Sequence, residues 1–345
     1  MRRVRLKFVG GLEIEFVDRD KAIEQINEIA ERGTYPVYVV YGPEGCGKTA
    51  LFKQAREILE EHNYNVIYAN PLAEDREELL DYTPAIRDLV REVLRSFPDP
   101  YSRIIDAAIN IASQVVKRMR KPRVAVLMDD VFQAVGLDNA EKYVKTLLNL
   151  IEHPPGDYEN IVVIVSSSEG ITRKRIGRHS WATLRILWNM SRKGFRELYD
   201  KLPGTKPRFR DAWRATGGNP RYLGLLYRAN WDTESLVKDI VESKDLEELV
   251  KGLNPLETRI LQESLEDPDT LFEKYPETKT LIDKLVERNL VIRLWDRNEW
   301  LWIDTPPPEK DPGLGIGRHY AWQTPLHREA VRKALETLHG QGTSP

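Results

Sequence analysis

Residues 42–49 read Gly42-Pro43-Glu44-Gly45-Cys46-Gly47-Lys48-Thr49, and this octet limits what can surround it more than any other part of the 345-residue chain. Its spacing, G-x-x-x-x-G-K-[ST], is that of a loop that cradles phosphate groups between a strand and a helix. The glycines let the backbone turn tightly and aim its N–H groups at phosphate oxygens. Lys48 has the reach for β- and γ-phosphates, and the Thr49 hydroxyl is placed to ligate Mg2+. The flanks agree. Pro36–Tyr41 is a short apolar, β-branched and aromatic run that predicts a buried strand. Ala50–Leu59 carries apolar residues at helical spacing. Gly42 through Ala50 are therefore the expected nucleotide-binding segment.

A second signal lies some eighty residues on. Val124-Ala125-Val126-Leu127-Met128 predicts a strand buried on both faces, and Asp129-Asp130 follows where it ends. Ligands of open α/β sheets bind at the carboxyl ends of strands. Asp129 is expected to position Mg2+, directly or through water, and Asp130 to orient or deprotonate an attacking water. A third apolar run, Ile161–Val165, ends in Ser166-Ser167-Ser168. One of these serines, Ser166 or Ser167 foremost, either senses the γ-phosphate or caps the next segment. The basic stretch Arg173, Lys174, Arg175, Arg178 and His179 either supplies an arginine to a phosphate or is a solvated loop; Arg173 is the residue carried forward.

Composition bounds the rest. Hydrophobic residues make up 41% and charged residues 31%, with a formal net charge of −2. That describes a globular chain without a global basic field for nucleic acid. No apolar run approaches the roughly 20 residues of a membrane span. Met1-Arg2-Arg3-Val4-Arg5 is basic but no apolar segment follows, so no secretory signal is expected. The single cysteine, Cys46, rules out an internal disulfide framework, and a cytoplasmic location is the default.

The remaining segments predict a helix-rich C-terminal half. Leu79–Phe97 and Ile104–Met119 have helical spacing, as does Ala140–Ile151. Leu184–Trp188 leads into a helix capped by Ser191. Gly217-Gly218-Asn219-Pro220 ends one helix and starts another, with proline in the first turn. After Asn254-Pro255 come two helices, Leu256–Leu265 and Thr280–Arg288. Two strands then flank Asp296-Arg297-Asn298, a winged-helix order. The expected domains are an α/β core with a parallel sheet (1–190), a helical lid (191–252) and a winged-helix domain with a C-terminal helix (253–345).

Four segments together resemble the archaeal ATPase family, in the STAND branch of the AAA+ P-loop NTPases, with kinship to NB-ARC switches and initiator-type AAA+ proteins. They are Phe16-Val17-Asp18-Arg19-Asp20, Gly42–Thr49, Met128-Asp129-Asp130-Val131 and Gly218-Asn219-Pro220. The resemblance implies a three-layer α/β/α core, ATP and ADP as ligands, and a Mg2+-dependent ATPase. It places Phe16, Val17 and Arg19 by the adenine and Pro220 near the nucleotide. It makes Arg221 a nucleotide-sensing arginine that contacts the γ-phosphate when the lid closes. Asp130 stands where many AAA+ ATPases carry glutamate. Its shorter arm implies slow hydrolysis, suited to a conformational switch acting on a protein partner or on a second copy through the lid and winged helix.

Two alternatives follow from the same residues. One is an initiator or transposition helper that binds duplex DNA through the winged helix; the other is an ATP-binding scaffold with negligible turnover. Residues 253–345 carry 12 Lys or Arg against 16 Asp or Glu. Phosphate contacts need a basic face, so duplex DNA is the less favoured partner.

Overall fold

The computed structural model describes residues 2–73, 75–97, 99, 103–168, 176–177 and 180–341. The chain forms two compact units. The first takes in Asp20–Gly42 and Lys48–Leu187 with the first four residues; the second takes in Arg5–Arg19, Pro43–Gly47 and the chain from Trp188 on.

The first unit is built on a mostly parallel sheet. Within this unit the strands lie in the order Ala182–Leu187, Val37–Tyr41, Asn160–Ser167, Arg123–Met128, Asn65–Ala69 and Leu80–Tyr82. All neighbours pair in parallel except the last two, which are antiparallel. Val124 through Met128 are fully buried, because helices cover the sheet and leave no solvated face for polar alternation. Ile104–Arg118 shows why such helices form: Ile104, Ile105, Ala108, Ile111, Ala112 and Val115 are buried at three- and four-residue spacing. In the register, Tyr41 lies opposite Ser167, Met128 opposite Val165 and Ala69 opposite Met128. The carboxyl ends of these strands therefore finish along one edge.

The second unit is mainly helical. Arg5–Lys7 and Glu13–Glu15 form an antiparallel pair. Helix Arg192–Asp200 starts at Ser191, whose hydroxyl accepts from Gly194 N. Helix Pro220–Arg228 starts at Asn219, whose side chain accepts from Tyr222 N, with Pro220 in the first turn. Helix Pro255–Glu266 opens on a capping box between Asn254 and Glu257. Helices Thr270–Glu273 and Lys279–Glu287 follow, and Pro325–Gln341 closes the described chain.

Two expectations need correction, and one strand is additional to them. Leu79–Phe97 is not one helix: Leu80–Tyr82 is an edge strand, Pro84–Ile86 a 3-10 turn and Arg87–Ser96 the helix. Pro84 disfavours helix at the residue before it, and Thr83 instead bonds Val66 through both its N–H and its hydroxyl. Ala182–Leu187 is a parallel strand beside Val37–Tyr41, although the sequence around it suggested only a lead into a helix. Finally, no hairpin forms about Asp296–Asn298. Val291–Arg293 pairs with Tyr320–Trp322, while Glu299–Leu301 is a 3-10 turn capped by Asn298. Asp-Arg-Asn has no glycine for the positive φ of a tight hairpin. The true partner strand is fixed by the buried carboxylate of Asp269, which accepts from the N–H groups of Arg318 and His319, each at 2.7 Å.

Candidate nucleotide site

At the carboxyl edge of the sheet, Asp129 follows the strand Arg123–Met128 and is fully buried. Its N–H donates to Ala69 O at 2.8 Å. Its carboxylate accepts from the hydroxyls of Tyr68 at 3.1 Å, Ser166 and Thr49. Burial pushes the Asp129 carboxyl up from its ordinary value and the neighbouring Asp130 pushes the same way; Ser166, Thr49 and Lys48 oppose them. Tyr68 is itself driven above the usual phenol range by burial and by Asp129.

Asp130 has φ 45°, in the left-handed region, where a short polar side chain is tolerated better than most. Its N–H donates to Ser166 Oγ at 2.9 Å and its carboxylate accepts from Ser168 Oγ at 2.9 Å. Ser166 thus holds both acids: its single proton goes to Asp129 and its lone pair takes the Asp130 N–H. Lys48 is buried, and its ammonium donates to Gly42 O at 3.1 Å.

Pro43–Gly47 belongs to the second unit, and there its carbonyls are held in succession. Asn219 Nδ2 donates to Glu44 O at 2.9 Å, Arg221 N to Gly45 O at 3.3 Å and Arg19 Nη2 to Cys46 O at 2.8 Å. In a trans peptide the C=O and the following N–H point in opposite directions. Holding these carbonyls from outside therefore turns the N–H groups of Gly45, Cys46 and Gly47 the other way. The Cys46 N–H closes a turn on Pro43 O at 3.2 Å. Gly45 and Gly47 have φ of 75° and 104°, which side chains rarely adopt. At Gly45 an added Cβ would lie 2.4 Å from Arg221 Cβ.

Arg19 is 3% exposed. Besides Cys46 O, its guanidinium donates to Trp188 O and to Asp304 Oδ2, both at 2.8 Å. Phe16 and Val17 are buried just before it. Pro220 rests against Gly47, its Cγ 3.9 Å from where a Cβ would stand. Arg221 donates to Glu44 Oε1 at 2.8 Å. Asn189 links the cluster, donating to Gln323 O and accepting from Asn219 Nδ2. Gln323 accepts the Glu44 N–H at 2.9 Å.

Among the residues expected from sequence, the sheet edge brings together Lys48, Thr49, Asp129, Asp130 and Ser166, with the buried Ser167 beside them on the same strand. The second unit groups Arg19, Pro220 and Arg221 with the loop. Arg173 lies outside the described residues. Sequence reasoning missed Tyr68, Asn189, Asp304 and Gln323. Tyr68 stands near the end of strand Asn65–Ala69, which pairs with the strand that leads into Asp129.

Over residues 16–226 the chain matches the family described as an ATPase domain predominantly from Archaea. An uncharacterized ATP-binding protein of Methanocaldococcus jannaschii is 39% identical over 57 residues, which span 16% of this chain and 15% of that protein. The Walker-type ATPase paby2304 of Pyrococcus abyssi aligns over 92% of this chain and 96% of its own at 15% identity, with a TM-score of 0.52. AMPPCP-bound DnaA from Aquifex aeolicus aligns over 95% and 91% at 15% identity, with a TM-score of 0.41.

Proposed function

The chain belongs to this family of ATPase domains predominantly from Archaea, and on that premise we propose that it is a Mg2+-dependent, slowly hydrolysing ATPase that works as a nucleotide-controlled conformational switch. The observation that carries the reading is the successive capture of the Glu44, Gly45 and Cys46 carbonyls by Asn219, Arg221 and Arg19. The loop that would meet phosphate is gripped by the segments that would move.

ATP is the substrate. The N–H groups of Gly45 and Gly47, turned away from the held carbonyls, bind phosphate oxygens together with those at the start of helix Lys48–Glu61. Lys48 leaves Gly42 O for a phosphate oxygen, a stronger acceptor because it is charged. Asp130, held by Ser166 and Ser168, orients the attacking water and accepts its proton. Its short arm supports slow turnover. Phe16 and Val17, buried beside the loop's holder Arg19, serve the base.

The donor set at the sheet edge suits Mg2+. Thr49 and Asp129 offer oxygen ligands, and Mg2+ takes one or two carboxylates with phosphate and water completing its shell. A cation there would also relieve the cost of ionising a carboxyl raised by burial. When bound, the ion neutralises charge developing on the β- and γ-phosphates. Thr49 and Asp129 would hold it.

The division into core, lid and winged helix belongs to the same proposal. Helices Pro255–Glu266, Thr270–Glu273 and Lys279–Glu287, followed by the ribbon Val291–Arg293 and Tyr320–Trp322, support a winged helix with a long wing. We take its partner to be a protein or a second copy of the chain, in keeping with the excess of acidic residues there. Among the described residues no helix is long and apolar enough to cross a membrane.

Two measurements test the reading. Freshly purified protein is denatured and the released nucleotide is identified by ion-exchange chromatography; near-stoichiometric ADP supports a slowly exchanging switch. Steady-state turnover of Asp130→Ala then tests the chemistry, and unchanged turnover would remove Asp130 from the mechanism.

A further inference from the structure

Glu44 occupies a variable position of the phosphate loop, yet every polar group it carries is held. Its N–H donates to Gln323 Oε1 and its carbonyl accepts from Asn219 Nδ2, both at 2.9 Å. Its carboxylate accepts from Arg221 at 2.8 Å and from Lys244 at 3.5 Å. The two backbone bonds fix where the side chain starts. The two cations, from helix Pro220–Arg228 and from the end of helix Thr233–Ser243, fix where it ends.

The carboxylate is shared. Two cations face it, with Asp239 a further acid that acts on the same cluster through Tyr222, so either cation can turn to another anion without leaving Glu44 unpaired. Its bonds are also exchangeable. The Glu44 and Arg221 side chains are 32% and 58% exposed, and pairs of that kind are weak, worth about 1 kcal/mol or less. A phosphate oxygen carries more charge than a carboxylate oxygen and accepts the flat guanidinium fork equally well. An anion entering beside the loop would therefore compete with Glu44 for Arg221. The competition is specific to ATP, since only ATP brings a terminal γ-phosphate; ADP leaves Arg221 with Glu44.

We infer that Glu44 is a built-in competitor for the γ-phosphate: its carboxylate holds Arg221 and Lys244 in the nucleotide-free and ADP states and so sets how strongly the site prefers ATP to ADP. Glu44 is a positioning residue, acting through Arg221. The inference rests on the reading of Arg221 as the arginine that senses the γ-phosphate.

The test uses the intact 345-residue chain and Glu44→Gln, which keeps size and polarity and removes the charge. Dissociation constants for ATP and ADP are measured by titration calorimetry in the presence of Mg2+, for wild type, Glu44→Gln, Arg221→Ala and the double variant. The expected result is a rise of about fivefold in Kd(ADP)/Kd(ATP) for Glu44→Gln, the size of one weak ion pair removed. Arg221→Ala should lower the ratio, and Glu44→Gln should add much less in that background. A loss of fold stability would weaken both nucleotides together and leave the ratio unmoved. If Arg221→Ala lowers the ratio and Glu44→Gln leaves it unchanged or lowers it, the competitor role is wrong while the sensing role of Arg221 stands. If Arg221→Ala leaves the ratio unchanged, the sensing role fails and the inference falls with it.

Discussion

Replacing Arg19 with methionine should be among the most damaging single changes in the second unit. The guanidinium is 3% exposed and its carboxylate partner Asp304 is 7% exposed, with 2.8 Å between them. Methionine keeps much of the apolar stem and removes the charge. Stripping a buried ion pair of one partner costs about 3–5 kcal/mol, most of it the penalty of a buried carboxylate left without its cation. Asp304→Asn should cost less, about 1.5–3 kcal/mol, because Arg19 keeps its bonds to the Cys46 and Trp188 carbonyls. Arg19→Met combined with Asp304→Asn should cost less than the sum of the single changes, since the pair is shared. Urea unfolding followed by tryptophan emission gives these differences. Nucleotide affinity gives a second, independent readout. Arg19→Met frees the Cys46–Gly47 peptide and should weaken ATP binding, whereas Asp304→Asn leaves that peptide held and should change affinity little. A loss below about 1 kcal/mol for Arg19→Met, or equal effects of the two variants on ATP affinity, would refute the assignment of Arg19 as the residue that ties the loop.

Four further outcomes are expected. Asp130→Ala should lower kcat by about 10²–10⁴-fold, the range for a general base, with ATP affinity retained in filter binding. The Asp129 carboxyl is raised above its ordinary value by burial, so the folded chain binds that proton more readily than the unfolded one and the group subtracts stability as pH climbs past its unfolded value. Nucleotide-free Asp129→Asn should then melt no lower than wild type at neutral pH, yet lose the extra stabilisation that Mg2+ adds to ATP; a lower melting point contradicts this. Gly45→Ala combines a positive φ with a Cβ 2.4 Å from Arg221, and should cost at least about 1–2 kcal/mol and weaken ATP binding. His327 is buried between the hydroxyls of Tyr222 and Thr324, and burial pushes its pKa from 6.5 down to about 3. The unfolded chain therefore holds the extra proton between these two values, and stability rises with pH across that window. Lowering the pH from about 7 to about 5 should cost about 2 kcal/mol through this residue, and His327→Gln should flatten that part of the stability curve measured by urea unfolding.

What was legible in the sequence is what local spacing encodes. The phosphate loop, the strand before Asp129 and the proline after Asn219 each announce themselves within a short stretch of chain. Ser166 could be named as a candidate because it ends a recognisable strand, although its bond to both acids depends on how two strands are set side by side. The partners that fix the loop were not legible. Gln323 lies 279 residues from Glu44, and Asp304 lies 285 residues from Arg19. No periodicity links positions so far apart. The strand Ala182–Leu187 was missed because its short apolar run adjoins a well-capped helix start. The mispaired hairpin has a similar cause: the true partner, Tyr320–Trp322, follows a long irregular segment and is positioned by Asp269 from an earlier turn.

The chain also carries its own chemical clock. Cys46 is its single cysteine, is fully buried within the phosphate loop and has its carbonyl tied to Arg19. A buried thiol reacts only when reagent can reach it, and burial delays that until the loop opens locally. Timed alkylation of the unaltered protein, followed by mass, therefore counts loop openings one molecule at a time, with no other thiol to blur the signal.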